Sequence, residues 1–171
     1  MKNESAGLGI GAAPKIRDAT PADLDGLVAL ENLCFAADRV SRRSLRKLIG
    51  APTASCRVAT RAGRIVGYTL LLLRSGSALA RLYSIAVHPR ERGAGVGALL
   101  LKDSETVAAG RDRTVFRFEV REDNTAAIRL YEGFGYRRIG RYPRYYDDKT
   151  DALRFEKRLR GGDVAATLVP H

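Results

Sequence analysis

The sequence predicts one α+β (mixed α/β) domain in which a single, mostly antiparallel sheet carries helices on both faces. The chain has 171 residues, which is enough for one domain of ordinary size. The spacing of its apolar residues changes along the chain from a helical period to strand alternation and back, and short turn sequences separate the blocks. Such an order, without an internal repeat, is typical of helices packed on one mixed sheet.

The first third of the domain predicts one strand and two helices. A short strand covers Lys15–Asp18, and Thr20 then begins a helix that extends to about Phe35, with a proline at its first position. Ser41 begins a second helix, which residues 50–52, a Gly-Ala-Pro sequence, bring to an end.

The middle of the chain predicts an antiparallel meander of three strands. These strands cover Ser55–Thr60, Ile65–Arg74 and Leu79–Val87. Glycine-containing turns separate them, and connections this short join strands that run in opposite directions.

The last third alternates helices with strands and completes a sheet of about seven strands. The predicted elements are a helix over Val96–Val107, a strand over Val115–Val120, a helix over Thr125–Glu132, and strands over Arg137–Tyr142 and Ala152–Leu159. We expect residues 15–160 to form the domain. Residues 1–14 and 161–171 are predicted to be flexible tails, because their composition offers little apolar surface to bury.

The amino-acid composition indicates which classes of partner the protein is expected to bind. Thirty Lys and Arg residues against nineteen Asp and Glu give a net charge of +11, which favours anionic partners such as nucleic acid, a phosphorylated cofactor or an acidic substrate. Two cysteines and two histidines cannot supply a zinc ligand set, so no metal is expected. The scarcity of cysteine favours the cytoplasm, and no segment resembles a signal peptide or a membrane span.

A glycine-rich loop precedes the third predicted helix. Gly93, Gly95 and Gly97 let the backbone approach a ligand closely, and the helix that follows presents free N–H groups and a positive dipole end. Arg92 adds a permanent positive charge. The loop therefore suits a pyrophosphate, although a purely structural turn would have the same composition. The spacing also satisfies a dinucleotide-binding pattern, which the preceding antiparallel meander disfavours.

Glu119 is the candidate general base. In the strand that contains it, Phe116, Phe118 and Val120 point to one face and Glu119 to the other. A carboxylate on the polar side of a central strand can accept a proton from an amine, directly or through water. The alternative is an ion pair with Arg117, Arg121 or a residue of a neighbouring strand.

Two motifs resemble the GCN5-related N-acetyltransferases. Residues 92–97 (RGAGVG) match the acetyl-CoA motif R/Q-x-x-G-x-G/A, and residues 119–131 (EVREDNTAAIRLY) resemble the ribosomal-protein-alanine (RimI-like) Nα-acetyltransferase branch. Similarity extends over about residues 15–159. One departure concerns the acceptor side, because the branch's usual Pro-Trp-Ser is replaced by Arg39-Val40-Ser41.

The resemblance implies acetyl-CoA as the donor, a parallel strand pair that splays apart at a bulge near Val87, and a backbone N–H there for the oxyanion. It also implies that Tyr131 protonates the departing thiolate, although a tyrosine that only anchors the helix is the alternative. Asn124, two helical turns earlier, is either a cofactor contact or a helix cap. The residues expected to bind the cofactor are Ile85, Ala86, Val87, Arg92, Gly93, Ala94, Gly95, Val96, Gly97, Asn124 and Tyr131.

The acceptor is expected to be the α-amino group of a protein or peptide. Tyr142, Tyr145 and Tyr146 lie in a connection between two strands, where aromatic rings suit a peptide groove or stacked bases. Neighbouring arginines keep nucleic acid or ribosome proximity open. The alternatives are a small-molecule amine acetyltransferase and an RNA- or ribosome-binding module with a regulatory acyl-CoA site. The protein is expected to be a monomer or a homodimer.

Overall fold

The computed structural model describes residues 12–160 and confirms the predicted order of elements. The two predicted tails lie wholly or mostly outside these residues. The strands are β1 Lys15–Asp18, β2 Ala54–Arg61, β3 Arg64–Leu72, β4 Leu79–Val87, β5 Val115–Arg121, β6 Arg137–Tyr142 and β7 Ala152–Arg158. The helices are α1 Leu24–Cys34, α2 Arg42–Leu48, α3 Val96–Gly110 and α4 Thr125–Gly133.

All seven strands form one sheet in the order β1-β2-β3-β4-β5-β7-β6. Every neighbouring pair is antiparallel except β4 and β5, which are parallel. The parallel pair follows from the connection through α3, since parallel neighbours require a long crossover. The prediction of a mostly antiparallel sheet with one parallel pair is confirmed.

Helices cover both faces of the sheet. Helices α1 and α2 contribute Leu27, Leu30 and Leu45 to a core with Tyr68 and Leu70 of β3. On the opposite face, α3 and α4 pack their apolar side chains in clusters that include Leu100, Leu101, Phe116, Phe118 and Tyr131. Two separate cores therefore hold the sheet between its helices.

A buried carboxylate ties α1 to the sheet. Glu31 is 1% exposed and accepts hydrogen bonds from the hydroxyls of Tyr68 and Ser84, the latter at 2.9 Å. It also accepts one from the backbone N–H of Val40 at 3.0 Å. Since a buried carboxylate is costly unless it is hydrogen-bonded, these contacts fix the last turn of α1 and the end of the α1–α2 loop against β3 and β4.

Glycine allows α3 to approach the sheet closely. A Cβ atom at Gly67 of β3 would lie 2.8 Å from Leu100 Cδ1 and 2.9 Å from the carbonyl oxygen of Ala86. Only glycine leaves room there for the helix. This contact places the first turn of α3 beside the end of β4.

Candidate active site

A gap opens where β4 and β5 separate. The two strands pair only over residues 79–81 and 115–117, although β4 continues to Val87 and β5 to Arg121. The His88 N–H donates to Val66 of β3 at 2.8 Å. Because N–H groups alternate along a strand, those of Val87 and Ile85 point away from β3 and into the gap. Ala86, between them, is buried on the α1 side.

The strand irregularity lies earlier than expected. The register between β3 and β4 shifts where Leu70 pairs with Ser84 and Leu71 pairs with Leu82, which leaves Tyr83 as the extra residue. Val87 itself pairs regularly with Gly67. The expected bulge near Val87 is therefore wrong, and the bulge at Tyr83 lies just beyond the last residue of β4 that pairs with β5. A bulge increases local twist, which helps the two strands to diverge.

The glycine-rich loop lies at the open end of this gap. Gly93 and Gly95 adopt left-handed conformations, with φ of +79° and +83°, and a Cβ at either would meet nothing within 4 Å. The first hydrogen bond of α3 runs from Leu99 N–H to Gly95 O, so the N–H groups of Val96, Gly97 and Ala98 precede the helical ladder. The loop is an open cradle of backbone donors, as a pyrophosphate requires. Ala94 is held inside the loop by a bond from its N–H to Glu91 O.

Arg92 lies at the entrance of the loop, near a thiol. Cys34 donates a hydrogen bond from Sγ to the carbonyl oxygen of Val87 at 3.3 Å. Burial raises the pKa of Cys34, and the neighbouring Arg92 offsets only part of this effect. Burial also raises the pKa of Cys56 to about 12. Both thiols are therefore protonated at neutral pH, and neither is an activated nucleophile.

Glu119 lies in the gap on the polar side of β5. Its side chain is 10% exposed, and Arg81 of β4 donates from Nη2 to Glu119 Oε2 at 3.0 Å. Arg117 pairs instead with Glu156, and Arg121 with Asp123 and Asp148. The ion pair with a neighbouring strand that the sequence left open is thus present. Glu119 Oε1 has no hydrogen-bond donor among residues 12–160, so one oxygen is free to accept a proton.

Tyr131 of α4 packs on the face of β5 opposite Glu119, and Tyr146 lies near both residues. The ring of Tyr131 is 5% exposed and packs against Phe118, with ring centroids 4.2 Å apart. Burial, followed by the nearby Tyr146, raises the pKa of Tyr131, so its hydroxyl keeps its proton at neutral pH. The hydroxyl has no hydrogen-bond partner within the described part of the chain. Tyr131 therefore both anchors α4 and holds an unengaged proton donor.

Asn124 caps α4. Its Oδ1 accepts a hydrogen bond from Ala127 N–H at 3.2 Å, which satisfies one of the free donors of the first turn. The capping alternative is therefore present in the structure, and a contact with the cofactor stays a prediction.

The three predicted acceptor tyrosines form one aromatic cluster. The rings of Tyr142 and Tyr145 stack with centroids 5.6 Å apart, and Tyr146 meets Tyr145 edge-on at 5.0 Å. Burial and then Tyr145 raise the pKa of Tyr146 to about 12, although Arg121 lowers it. Asp147 N–H donates to Asp38 Oδ1 at 3.4 Å, so the β6–β7 loop contacts the α1–α2 loop beside the site.

The cluster also includes Arg81 and Tyr83 of β4, which the sequence analysis did not identify. Arg81 donates from Nη2 to the hydroxyl of Tyr145 at 3.3 Å, and its guanidinium lies 5.9 Å from the centre of the Tyr83 ring. Tyr83 is 51% exposed. The signal in the sequence was a single arginine between Ala80 and Leu82, both of which are buried.

Comparison with known proteins identifies the family. The acetyltransferase (GNAT) domain matches residues 19–159, which is most of the chain. The protein belongs to the GNAT family of acetyltransferases. Its fold agrees with this assignment, because the Ard1 structure from Thermoplasma volcanium superimposes with a TM-score of 0.80 at 27% identity, over 87% of this chain and 99% of that one.

Two curated relatives are similar to this GNAT domain. The N-alpha-acetyltransferase RimI of Mycobacterium tuberculosis is 37% identical over 86 residues, which are 49% of this chain and 52% of that protein. An uncharacterized protein of Mycobacterium leprae is 36% identical over 138 residues, which are 74% of this chain and 35% of that protein. The chain thus spans about a third to a half of these relatives, and its acceptor does not follow from them.

The structure adds two facts about partners. No helix between residues 12 and 160 is both long and apolar enough to cross a membrane. The arginines near the acceptor tyrosines are partly neutralised, since Arg141 pairs with Glu122 at 2.7 Å and with Asp151 at 3.2 Å.

Proposed function

We propose that the protein transfers an acetyl group from acetyl-CoA directly to the α-amino group of a protein or peptide. The observation that carries this proposal is Glu119, whose free carboxylate oxygen lies in the gap between the parallel strands. The glycine-rich loop follows β4 at the open end of the gap, and the tyrosine cluster contacts Arg81, the ion-pair partner of Glu119. A donor and an acceptor can therefore meet at this carboxylate.

The residues present fit acetyl-CoA, which supplies an acetyl group activated as a thioester. The open loop at Gly93 and Gly95, with the free N–H groups that follow it, suits the pyrophosphate, and Arg92 matches its charge. The unpaired edge of β4, with the N–H groups of Ile85 and Val87, suits the amide groups of the pantetheine arm. The same N–H groups can stabilise negative charge on the acetyl oxygen.

Glu119 would accept the proton of the acceptor amine at Oε1. The amine nitrogen then bonds to the acetyl carbon as the carbon–sulfur bond breaks. An α-amino group has a pKa of about 7.7–8.0, against about 10.4 for lysine, so keeping lysine neutral at pH 7 costs about 3.5 kcal/mol more. A carboxylate is a sufficient base for an α-amine, which favours this acceptor over lysine.

Tyr131 would donate its hydroxyl proton to the departing sulfur. The hydroxyl is protonated at neutral pH and has no partner within residues 12–160, so donating costs no existing hydrogen bond. With Glu119 taking one proton and Tyr131 giving one, the reaction needs no covalent acetyl-enzyme. The raised pKa values of Cys34 and Cys56 agree with direct transfer.

The relatives support a peptide acceptor. The protein from Mycobacterium tuberculosis is named an N-alpha-acetyltransferase, and the tyrosine cluster here offers rings and hydroxyls that suit a peptide backbone. We include in the proposal a cytoplasmic location, where acceptor chains and acetyl-CoA are both present. The excess of basic residues is compatible with work near the ribosome, by a monomer or a homodimer.

Labelling of a proteome tests the proposal. Purified protein and heavy-isotope acetyl-CoA are added to a bacterial extract with its proteins intact, and peptides are sequenced by mass spectrometry. We expect label on protein α-amines and none above background with Glu119→Gln at pH 7. Label confined to lysine side chains or to small amines would contradict the proposal.

A further inference from the structure

Arg81 occupies the point where the two parallel strands separate. It is the last residue of β4 that pairs with β5, opposite Arg117. Its neighbours Ala80 and Leu82 are buried on the other side of the strand, so the guanidinium projects to the side of Glu119 and the tyrosines. Arg81 therefore forms part of the floor of the acceptor site.

Most hydrogen-bond donors of Arg81 are unused. Both of its contacts, to Glu119 and to the hydroxyl of Tyr145, involve Nη2. Nε is buried without a partner, and Nη1 has none among the residues that the structure describes. An arginine has five N–H donors, and leaving them unpaired in a partly buried site is unfavourable. The side chain is 38% exposed, so a ligand in the site can reach it.

Arg81 and Glu119 present a free donor and a free acceptor side by side. Their ion pair joins Nη2 to Oε2 at 3.0 Å, so Nη1 of Arg81 and Oε1 of Glu119, which have no partner among residues 12–160, belong to adjoining groups. In an extended residue, the amine nitrogen and the carbonyl oxygen of that same residue are also close together, about 3 Å apart. An amine held at Glu119 therefore places its own carbonyl oxygen beside Arg81. The side-chain amine of lysine carries no oxygen at that distance.

We propose that Arg81 binds the carbonyl oxygen of the acceptor's first residue and so makes the enzyme select amines that adjoin a carbonyl group. This role rests on the proposed function and adds a residue that determines its specificity. Arg81 donates to the carbonyl from a nitrogen that Glu119 does not use. Glu119 keeps Oε1 for the proton of the amine.

The test compares two acceptors that differ at this carbonyl. One is a short peptide with a free α-amine, and the other replaces its first peptide bond by an (E)-alkene, which keeps the shape and adds no charge. The wild type should prefer the peptide in kcat/KM by about 10- to 100-fold, as expected for a hydrogen bond to a charged group. In Arg81→Gln, the ratio of the two kcat/KM values should fall close to the ratio of the rates at which the two amines react without enzyme.

Arg117→Gln is the matched control. Arg117 lies opposite Arg81 in the parallel pair but binds Glu156, so its loss should leave the ratio at the wild-type value. Damage to the placement of Glu119 would slow both acceptors alike, so it does not move the ratio. Arg81→Met, which keeps much of the side-chain length and removes every donor, serves if Arg81→Gln does not fold, and it should lower the ratio in the same way.

The possible results distinguish the role of Arg81 from the proposed function on which it rests. A wild type that acetylates the peptide with a ratio unchanged in Arg81→Gln overturns the role of Arg81 and leaves the proposed function standing. A wild type that acetylates no peptide, under conditions in which it acetylates a small amine, overturns the proposed function.

Discussion

Gly95 combines two properties that a larger residue cannot reproduce. Its φ of +83° lies in the left-handed region, and the space beside its Cα is empty where a phosphate would lie. The residue at position 95 must therefore adopt a left-handed backbone conformation and also leave space for the ligand.

Gly95→Asp should abolish binding of coenzyme A. The carboxylate would occupy the space of the pyrophosphate and repel it, in addition to any backbone strain. Isothermal titration calorimetry of the folded variant measures the effect. Gly76→Asp is the control, because Gly76 has φ of +73° and equally open space but lies in the β3–β4 turn. Unchanged affinity in Gly95→Asp would show that the cofactor binds elsewhere.

Tyr131 is both a packing residue and the candidate proton donor. Removing its hydroxyl group alone distinguishes the two roles. Tyr131→Phe keeps the ring against Phe118 and removes only the hydroxyl, which has no partner within residues 12–160. Melting temperature and affinity for coenzyme A should therefore stay near wild type. Turnover should fall by about 10²- to 10⁴-fold, the effect typical of losing a general acid. Full activity in steady-state assays would leave Tyr131 a packing role alone.

At the scale of elements, the start of α1 depends on one carboxylate. Asp23 is 8% exposed, accepts from Thr20 N–H at 2.8 Å and pairs with Arg17 of β1 at 2.8 Å. The hydrogen bond from Arg17 is the main cause that lowers the pKa of Asp23 to about 2. The carboxylate thus closes the capping box of the short 3-10 turn Pro21–Asp23, which leads into α1, and links this turn to the first strand.

Asp23→Asn should lower the free energy of unfolding at neutral pH by about 1–2 kcal/mol, the usual cost of a weakened cap. A pKa lowered by folding means that the ionised form stabilises the protein above about pH 4 and that this contribution is lost as pH falls toward 2. The difference between wild type and variant should therefore shrink over that range in urea titrations. Asp25→Asn, at an 84% exposed carboxylate, should cost much less. A difference independent of pH would contradict the ionic role of Asp23.

The sequence predicted the elements well because their causes are local. Period, caps and turn residues located the seven strands and four α-helices that the structure describes between residues 12 and 160, and most of their ends agree within two residues. Contacts that depend on strand register could not be predicted from the sequence. Arg81 and Glu119, for example, lie on different strands and are 38 residues apart in the chain. Leu33 of α1 and Leu99 of α3 fall at helical spacing with buried leucines of the same helices, yet they are 54% and 43% exposed. Other leucines of the same helices face the sheet, whereas these two positions face away from it.

At the scale of the whole molecule, the site lies where two parts of the sheet meet. Within the sheet that residues 12–160 form, strands β1 to β4 make one antiparallel part and β5, β7 and β6 another, and the short parallel contact of β4 with β5 joins the two. The core on the α3–α4 face contains residues of both parts, among them Leu71 and Leu82 of the first and Phe116 and Phe118 of the second, so the two parts are packed together beside the gap. The position of the candidate site is therefore a consequence of topology, which explains why the sequence motifs alone did not reveal Arg81 and Tyr83.

The central claim is that Glu119 removes the proton from the acceptor amine, and the pH dependence of Glu119→Gln tests it most directly. Initial rates of peptide acetylation are measured for both proteins from about pH 6 to 10, beside a thermal melt. The variant should be most impaired at low pH and recover part of its activity as the α-amine loses its proton to solvent. A variant that is less stable than wild type but has the same pH–rate profile would show that Glu119 serves only as the ion-pair partner of Arg81.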